Sequence, residues 1–266
     1  MTPNQIAAAA AALLQAEETG QQTGLISLAH PGMTLDHANA VQDAFVAAKL
    51  AKGRRRIGWK IGLTSRAMQQ ALNITTPDSG VLLDDMLVPD FSTVPKGRFI
   101  QPRIEAEIAF VMARDLSGAD VTRADVLAAT DYVSPALEIL DTRILRQDPA
   151  TGQSRVIHDT VSDNAANAGL VLGPARHSID AFDLRWVGAV VKQNGVVEET
   201  GLGAGVLDDP VMGIVWLVRR LARFGGQVHA GDIVLSGSFI RPLEAPPGAQ
   251  FDADFRDFGR VRLAFG

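Results

Sequence analysis

Hydrophobic residues recur at helical spacing near the start of the chain. Between Leu35 and Ala51 they are spaced three and four apart, so they share one face of a helix. Thr34 can cap the start of this helix, Asp36 suits its positive end, and Gly53 follows its last turn. An earlier helix is predicted from Ile6 to Glu18, which is a run of strong helix formers.

Short apolar segments separated by glycine and proline follow Gly53 and predict β-strands. Asn194-Gly195 lies between two such segments and is typical of a hairpin turn. Two further helices are predicted, from Thr122 to Ala129 and from Pro210 to Phe224. The predicted strands are Ile57–Ile61, Val81–Leu87, Arg103–Met112, Tyr132–Leu140, Gly169–Leu172, Leu184–Gln193, Asp232–Ser236, Phe251–Arg256 and Val261–Phe265.

This order of elements predicts an α+β fold. A small helical N-terminal region, residues 1–55, would pack on a β-rich domain, residues 56–266, or the two would form one domain overall. A chain of 266 residues can bury a substantial core without covalent cross-links.

Composition narrows the classes of protein. The chain has no cysteine, which excludes disulfides, a thiolate nucleophile and zinc–sulfur sites, and suits a cytoplasmic location. The formal net charge of −5 argues against a nucleic-acid partner. The apolar run from Ile6 to Leu14 is followed by Glu17 and Glu18 and lacks the features of a signal peptide, and no apolar run is long enough to span a membrane.

Two glutamates interrupt the most regular strand pattern. In the segment Arg103–Met112 the even-numbered residues are apolar, so Glu105 and Glu107 would lie side by side on the other face. If buried, the two carboxylates would need a cation or a shared proton, and a hard divalent cation prefers such oxygen ligands. The alternative is a solvated strand face, which this segment alone favours slightly.

A third carboxylate strengthens the case for a cation. Glu138 is embedded in the apolar run that ends at Asp141, and glutamate is rarely buried without a partner. Three glutamates on two predicted strands make an all-oxygen metal site plausible. Asp141 is the nearest competitor of Glu138 for the role of third ligand.

Two other charged residues are candidates for catalysis. Lys60 lies among small and apolar residues, where it could stabilise a negative intermediate or act as a base; the alternative is a packed stem with a solvated amine. Asp78 belongs to the segment Pro77–Gly80, which has the composition of a turn. Its carboxylate could satisfy the turn backbone or serve as a general acid or base, and the sequence leaves both open.

Seven segments spread along the chain, taken in order, resemble those of a known family. The resemblance runs over nearly the whole chain and points to the 2-hydroxypentadienoate hydratase and 4-oxalocrotonate decarboxylase family, within the fumarylacetoacetase-like superfamily. Two positions depart from the family pattern, Trp59 where histidine is expected and Ser79 where an aromatic is usual. The matching segments are Gly58–Ser65, Pro77–Gly80, Leu83–Met86, Pro102–Phe110, Ala136–Asp141, Asp159–Gly169 and Gly237–Phe239.

The resemblance implies a fold and a set of site residues. The fold would be a fumarylacetoacetase C-terminal-like mixed β-sheet roll with the helical region at its N-terminus. Glu105, Glu107 and Glu138 would bind Mg²⁺ or Mn²⁺, and Lys60 and Asp78 would be catalytic. The substrate-binding residues would be Ser162, Gly237, Ser238, Phe239 and Arg143.

The resemblance also implies a reaction and a state of assembly. The substrate would be a small unsaturated 2-oxo acid to which water is added, and the protein would be a homo-oligomer. Asp78 favours the hydratases, because the decarboxylases carry an apolar residue at this position. Decarboxylation, C–C hydrolysis near His158, and a silent subunit that partners an active relative are the alternatives.

The region around Asp148-Pro149 favours the hydratases that act on seven-carbon diacids. A distal carboxylate would then need a partner, and Arg143, Arg146 and Arg155 lie in this region. We expect Arg143 to bind this carboxylate. The alternative is that all three arginines are solvated on a loop.

Overall fold

The four predicted helices begin and end close to their predicted bounds, and three shorter helices in the described residues were not predicted. The computed structural model describes residues 1–71 and 74–266. The Thr34 hydroxyl caps the longest predicted helix by accepting from the His37 N–H. The helices are α1 (Pro3–Thr19), α2 (Ile26–Ala29), α3 (Leu35–Ala51), α4 (Arg66–Ala71), α5 (Arg123–Ala129), α6 (Ile157–Ser162) and α7 (Pro210–Ala222).

The strands confirm most of the predicted segments, and the Asn194-Gly195 hairpin joins two of them. The strands are β1 (Arg56–Gly62), β2 (Asp78–Leu83), β3 (Ser92–Val94), β4 (Arg103–Met112), β5 (Thr130–Leu140), β6 (Asn167–Leu172), β7 (Gly188–Gln193), β8 (Val196–Leu202), β9 (Ile233–Leu235), β10 (Leu243–Glu244), β11 (Gln250–Asp254) and β12 (Arg260–Phe265).

The strands form two mixed sheets. The larger has the order β2-β1-β9-β4-β5-β6, and β10 also pairs with β4. The smaller has the order β3-β12-β11-β7-β8. Strands β9 and β10 pair with opposite ends of β4, at Ala109–Val111 and at Arg103–Ile104. The segment 236–242 therefore runs along the middle of β4, where Glu105 and Glu107 lie.

The two faces of the larger sheet contact different cores. Ile104, Ala106 and Ile108 of β4 pack towards the smaller sheet and α7. Ala109, on the opposite face, packs with residues of α1 and α3. The odd-numbered residues of β4 thus share the face covered by the N-terminal helices, as the alternation predicted. This second core contains residues from both sides of residue 55. The division of the chain into two regions at that residue therefore stays a prediction.

The structure corrects three local predictions. Pro77–Gly80 is not a turn, because Asp78 begins β2 and pairs with Gly62. The strand predicted from Leu184 begins only at Gly188. Helix α6 was not predicted, since it has six residues and an apolar Val156 at its N-cap, which leaves no helical period and no polar cap to detect. Among the described helices, none has the length and apolar character needed to cross a bilayer.

Candidate active site

Three glutamate side chains converge on one face of the larger sheet. Glu105 of β4 lies directly opposite Glu138 of β5 in the antiparallel register, and Glu107 is two residues further along the same face. Each offers a carboxylate oxygen within 4.8 Å of the others. Glu107 and Glu138 are fully buried and Glu105 is partly buried, so the alternative of a solvated strand face is wrong.

Three buried carboxylate oxygens of this cluster have no hydrogen-bond donor among the described residues. Glu107 Oε2 accepts from the Gly237 N–H at 2.8 Å, but Glu107 Oε1 and both oxygens of Glu138 have no hydrogen-bond partner. Unpaired buried carboxylate oxygens are costly, and a hard divalent cation satisfies them with the ligands it prefers. The donor set therefore fits a divalent cation.

Burial and mutual repulsion disfavour three charged carboxylates without such a cation. Burial, reinforced by the negative charge of Glu138, raises the pKa of Glu105 to about 8. The same two causes raise the pKa of Glu107 well above its ordinary value. Burial also raises the pKa of Glu138, although the Lys60 ammonium opposes this. A bound cation reverses this balance in favour of the carboxylates.

Lys60 supplies the positive charge next to the cluster. Its side chain is almost fully buried, and Nζ lies 3.5 Å from Glu138 Oε1. Burial lowers the pKa of Lys60, but Glu138, Asp78 and the other two glutamates outweigh it and raise the pKa above its ordinary value. The raised pKa favours the ammonium form of Lys60, which can stabilise negative charge. This excludes the alternative in which its amine is solvated.

Asp78 lies beside Lys60, at the start of β2. It is buried, and its Oδ1 has no hydrogen-bond partner. Burial raises the pKa of Asp78, although Lys60 opposes this. A carboxyl group with a raised pKa is a candidate for donating and accepting protons. The only backbone hydrogen bond that acts on its pKa within the described residues comes from Gly62 of the neighbouring strand.

Lys60, Asp78 and Glu105 line one cavity of about 520 Å³. Its apolar wall includes Leu63, Leu140 and Ile157. Its polar lining includes Lys60, Asp78, Glu105, Ser238, Arg155 and Arg241. A volume in this range is typical of small-molecule sites.

The predicted substrate-binding residues fall at different places. Ser238 lines the cavity, and its hydroxyl donates to the Ile240 carbonyl. The N–H groups of Gly237 and Phe239 donate to Glu107 and to the Ala106 carbonyl, so they position strand β4. The Phe239 ring packs against Phe255 in the core. Ser162 is fully buried outside the cavity lining, with an unpartnered hydroxyl.

Gly237 is required by its backbone conformation and by close packing. Its φ of 118° lies in the region that favours glycine, and a Cβ there would come within 2.3 Å of Thr64 Oγ1. Because its N–H contacts Glu107, this turn holds the second glutamate in place.

The structure does not bring Arg143 to the cavity. Its buried guanidinium pairs with Asp163 and Glu17 and donates to the carbonyls of Asp163 and Asn167 at 2.9 and 3.0 Å. It lines a separate cavity of about 450 Å³ near α1 and α3. The prediction that Arg143 binds substrate is therefore corrected: its donors are used within the fold.

Asp141 has a structural role. Its carboxylate accepts from the N–H groups of Ile100, Gln101 and Thr142 at 2.7 to 2.9 Å, and it lies outside the glutamate cluster. The choice left open by the sequence is thus decided in favour of Glu138.

The two departures from the family pattern lie next to Lys60 and Asp78 in the sequence but outside the cavity lining. Trp59 alternates with Lys60 and packs against the hydrophobic cores. The Ser79 carbonyl accepts from Gln42 Nε2 at 2.8 Å.

A left-handed turn was not predicted at the site. Asn164, Ala165 and Ala166 all have φ between 52° and 57°, and the two alanines line the cavity. Asn164 anchors the turn to β2 by accepting from the Val81 N–H at 2.8 Å and donating to the Val81 carbonyl at 2.9 Å. Successive non-glycine residues in this region are strained and cluster at functional sites. Only the asparagine, which tolerates this conformation, was a possible signal in the sequence.

The comparisons with known proteins agree with the fold. The model of the fumarylacetoacetate hydrolase C-terminal family matches residues 55–264. The chain therefore belongs to the fumarylacetoacetate hydrolase family.

The relatives place it more narrowly. It is 49% identical over 251 residues to a 2-oxo-hept-4-ene-1,7-dioate hydratase of Escherichia coli, covering 94% of each chain. It is 39% identical to a 2-keto-4-pentenoate hydratase of Paraburkholderia xenovorans, covering 100% of this chain and 96% of the relative. A 4-oxalocrotonate decarboxylase from Pseudomonas putida G7, complexed with magnesium and adipate, superposes with a TM-score of 0.94 at 32% identity over 100% and 99% of the two chains. The chain is accordingly an enzyme of the hydratase and decarboxylase branch of this family.

Proposed function

We propose that the protein is a Mg²⁺- or Mn²⁺-dependent hydratase that converts 2-oxohept-4-ene-1,7-dioate into 4-hydroxy-2-oxoheptane-1,7-dioate, in the breakdown of aromatic compounds such as 4-hydroxyphenylacetate. The observation that carries this proposal is the cluster of three glutamates, one of which, Glu105, lines the same cavity as Lys60 and Asp78. The identity of 49% to a relative named for this reaction supports the choice of substrate.

Glu105, Glu107 and Glu138 would hold the divalent cation, whose positive charge polarises a 2-oxo group. The Lys60 ammonium adjoins this cluster and would stabilise the negative charge of an enolate oxygen at C2. Its fixed charge is present before the reaction starts, so it needs no rearrangement as the enolate forms.

Asp78 would move the protons. The substrate would react as its dienol tautomer, 2-hydroxyhepta-2,4-dienedioate, which loses its 2-hydroxyl proton to solvent. Protonated Asp78 donates its proton to C5. This step leaves a C3=C4 double bond conjugated to the 2-oxo group. Water then adds its oxygen at C4 and gives a proton to the Asp78 carboxylate. A proton from solvent arrives at C3, so one water is gained and Asp78 is restored to its protonated form.

A single assay tests the reaction. Protein freed of metal by chelation is mixed with Mg²⁺ and 2-hydroxyhepta-2,4-dienedioate, and the product mass is measured. We expect a gain of one water, lost again on chelation. Loss of carbon dioxide would place the protein with the decarboxylases and contradict the role of Asp78. Turnover restricted to 2-hydroxypenta-2,4-dienoate would keep the mechanism and overturn the diacid substrate.

The metal site is tested without catalysis. Glu107→Gln removes one buried carboxylate charge at nearly constant volume, and we expect Mn²⁺ binding, followed by the paramagnetic resonance of the free ion, to weaken by at least about 10-fold. The matched control is Glu198→Gln on the exposed strand β8, which should bind Mn²⁺ like the unmodified protein. Equal affinity in both variants would contradict the proposed metal site.

A further inference from the structure

An arginine without a carboxylate partner lines the cavity that contains Lys60, Asp78 and Glu105. Arg155 donates from Nη1 to Thr142 Oγ1 at 2.6 Å. It takes part in none of the ion pairs found within residues 1–71 and 74–266, whereas Arg146 pairs with Glu244 and Arg241 with Glu199. Its charge is therefore not neutralised by a direct contact in the protein.

The surroundings of Arg155 are unfavourable to an isolated cation. Burial lowers the pKa of its guanidinium. The attraction of Asp163 opposes this, but the positive charges of Arg146 and Arg103 act in the same direction as burial and the pKa stays below its ordinary value. A guanidinium partly withdrawn from water and lacking a counter-ion is a binding site for an anion.

The cavity between Arg155 and the metal centre suits a short carbon chain. Ile157, Leu140 and Ala165 line it and offer apolar contact. The charge of Arg155 acts on Asp78, so the two groups belong to one electrostatic environment. A molecule with a carboxylate at each end and methylene groups between them matches a cavity whose lining contains both cationic and apolar side chains.

We propose that Arg155 binds the distal carboxylate of a dicarboxylic substrate and so makes the enzyme select diacids over monoacids. A guanidinium has five N–H donors, and among the described contacts its side chain uses only the one to Thr142. Two of the others can bind both oxygens of a carboxylate. This inference rests on the proposed function for the identity of the substrate, but its test measures binding.

The experiment compares two saturated ligands that cannot be hydrated. Binding of 2-oxoheptane-1,7-dioate and of 2-oxopentanoate is measured by calorimetry with excess Mg²⁺. For Arg155→Gln we expect diacid affinity to fall by about 100-fold. Monoacid affinity should stay within about 2-fold. Arg155→Lys keeps the positive charge but loses the planar guanidinium. Its affinity for the diacid should therefore lie between that of the unmodified protein and that of Arg155→Gln.

Arg146→Gln is the matched control. It removes an arginine of the same loop whose guanidinium is already bound by Glu244 and the Gln101 carbonyl. We expect it to leave the ratio of the two affinities unchanged.

The inference is overturned if Arg155→Gln leaves the ratio unchanged, or weakens both ligands equally, since the latter would mean that Arg155 only supports the fold through Thr142. A change of the ratio in Arg146→Gln equal to that in Arg155→Gln would also overturn it. Failure of the proposed function is a separate result, because an enzyme that does not hydrate the diacid can still show or lack this difference in binding.

Discussion

At the scale of a single residue, Gly62 leaves space for the side chains of Asp78 and Lys60. A Cβ at this position would lie 2.3 Å from Asp78 Oδ1 and 3.0 Å from Lys60 Nζ. The φ of Gly62 is not in the left-handed region, so alanine would be accepted by the backbone and excluded only by these contacts. Gly62→Ala should therefore disturb the positions of Asp78 and Lys60 without straining the backbone.

We predict that Gly62→Ala lowers kcat by about 100-fold, because the methyl group displaces the acid that moves the protons. The free energy of unfolding should fall by only about 1–3 kcal/mol, as is usual for an added methyl group. Steady-state kinetics and urea denaturation measure the two effects.

Gly24→Ala is the control for this variant. A Cβ at Gly24 meets nothing within 4 Å, so kcat should not change. An unchanged kcat in Gly62→Ala would show that the position of Asp78 is not critical.

At the scale of secondary-structure elements, Glu17 joins three parts of the fold. From α1 its carboxylate pairs with Lys49 of α3 at 2.5 Å and with Arg143 after β5 at 3.2 Å. Burial raises the pKa of Glu17, but Arg143 and Lys49 outweigh it and hold the pKa below its ordinary value. The folded protein therefore prefers the charged form more strongly than the unfolded chain does.

This preference fixes the sign of a pH dependence. A carboxyl group whose pKa is lower in the folded state adds stability above its unfolded pKa, and the contribution is lost as the pH falls through the folded pKa. We predict that Glu17→Gln lowers the free energy of unfolding by about 1 kcal/mol near neutral pH, allowing for its partial exposure. The difference should shrink as the pH is lowered below the ordinary glutamate pKa of 4.5, measured by urea denaturation across the acid range.

Glu18→Gln is the matched control for this prediction. Glu18 is the next residue in the same helix, but it pairs with Lys52 on the exposed surface. Its substitution should change stability by less than about 0.5 kcal/mol. A penalty for Glu17→Gln that does not depend on pH would contradict the electrostatic explanation.

At the scale of the whole molecule, one edge of the smaller sheet remains exposed in the single chain. Strand β8 ends the sheet and carries the exposed side chains of Val196, Val197 and Leu202, and Trp186 is also exposed just before β7. Apolar side chains on an unpaired strand favour association. The family resemblance independently leads us to expect a homo-oligomer.

We predict a solution mass that is an integral multiple, greater than one, of the chain mass of 28.3 kDa. Size-exclusion chromatography with light scattering measures it. Val197→Lys, which places a charge on the exposed strand at a residue outside the cavity lining, should reduce the mass and leave Mn²⁺ binding intact. A monomeric mass for the unmodified protein would contradict the expectation.

Particular residues show why the sequence predicted some of the site and missed the rest. Glu105 and Glu107 could be placed side by side because the two-residue period of a strand is local. The choice of Glu138 over Asp141 depended instead on the register of β4 and β5, which sets Glu105 opposite Glu138. Arg143 was chosen wrongly because the sequence does not show that Asp163 and Glu17 would take its donors.

The sequence by itself determined the four longest helices, the main strands, the α+β class and the acidic character of the site, because periodicity, capping and the rarity of buried glutamate act over a few residues. Only the tertiary structure decided which charges meet. Lys60, Asp78, Glu105 and Glu138 come from four strands, and Arg155 from a loop, so their convergence depends on sheet order and register. Those are set by the packing of the whole chain, since each strand must bury its apolar face against elements that are distant in the sequence.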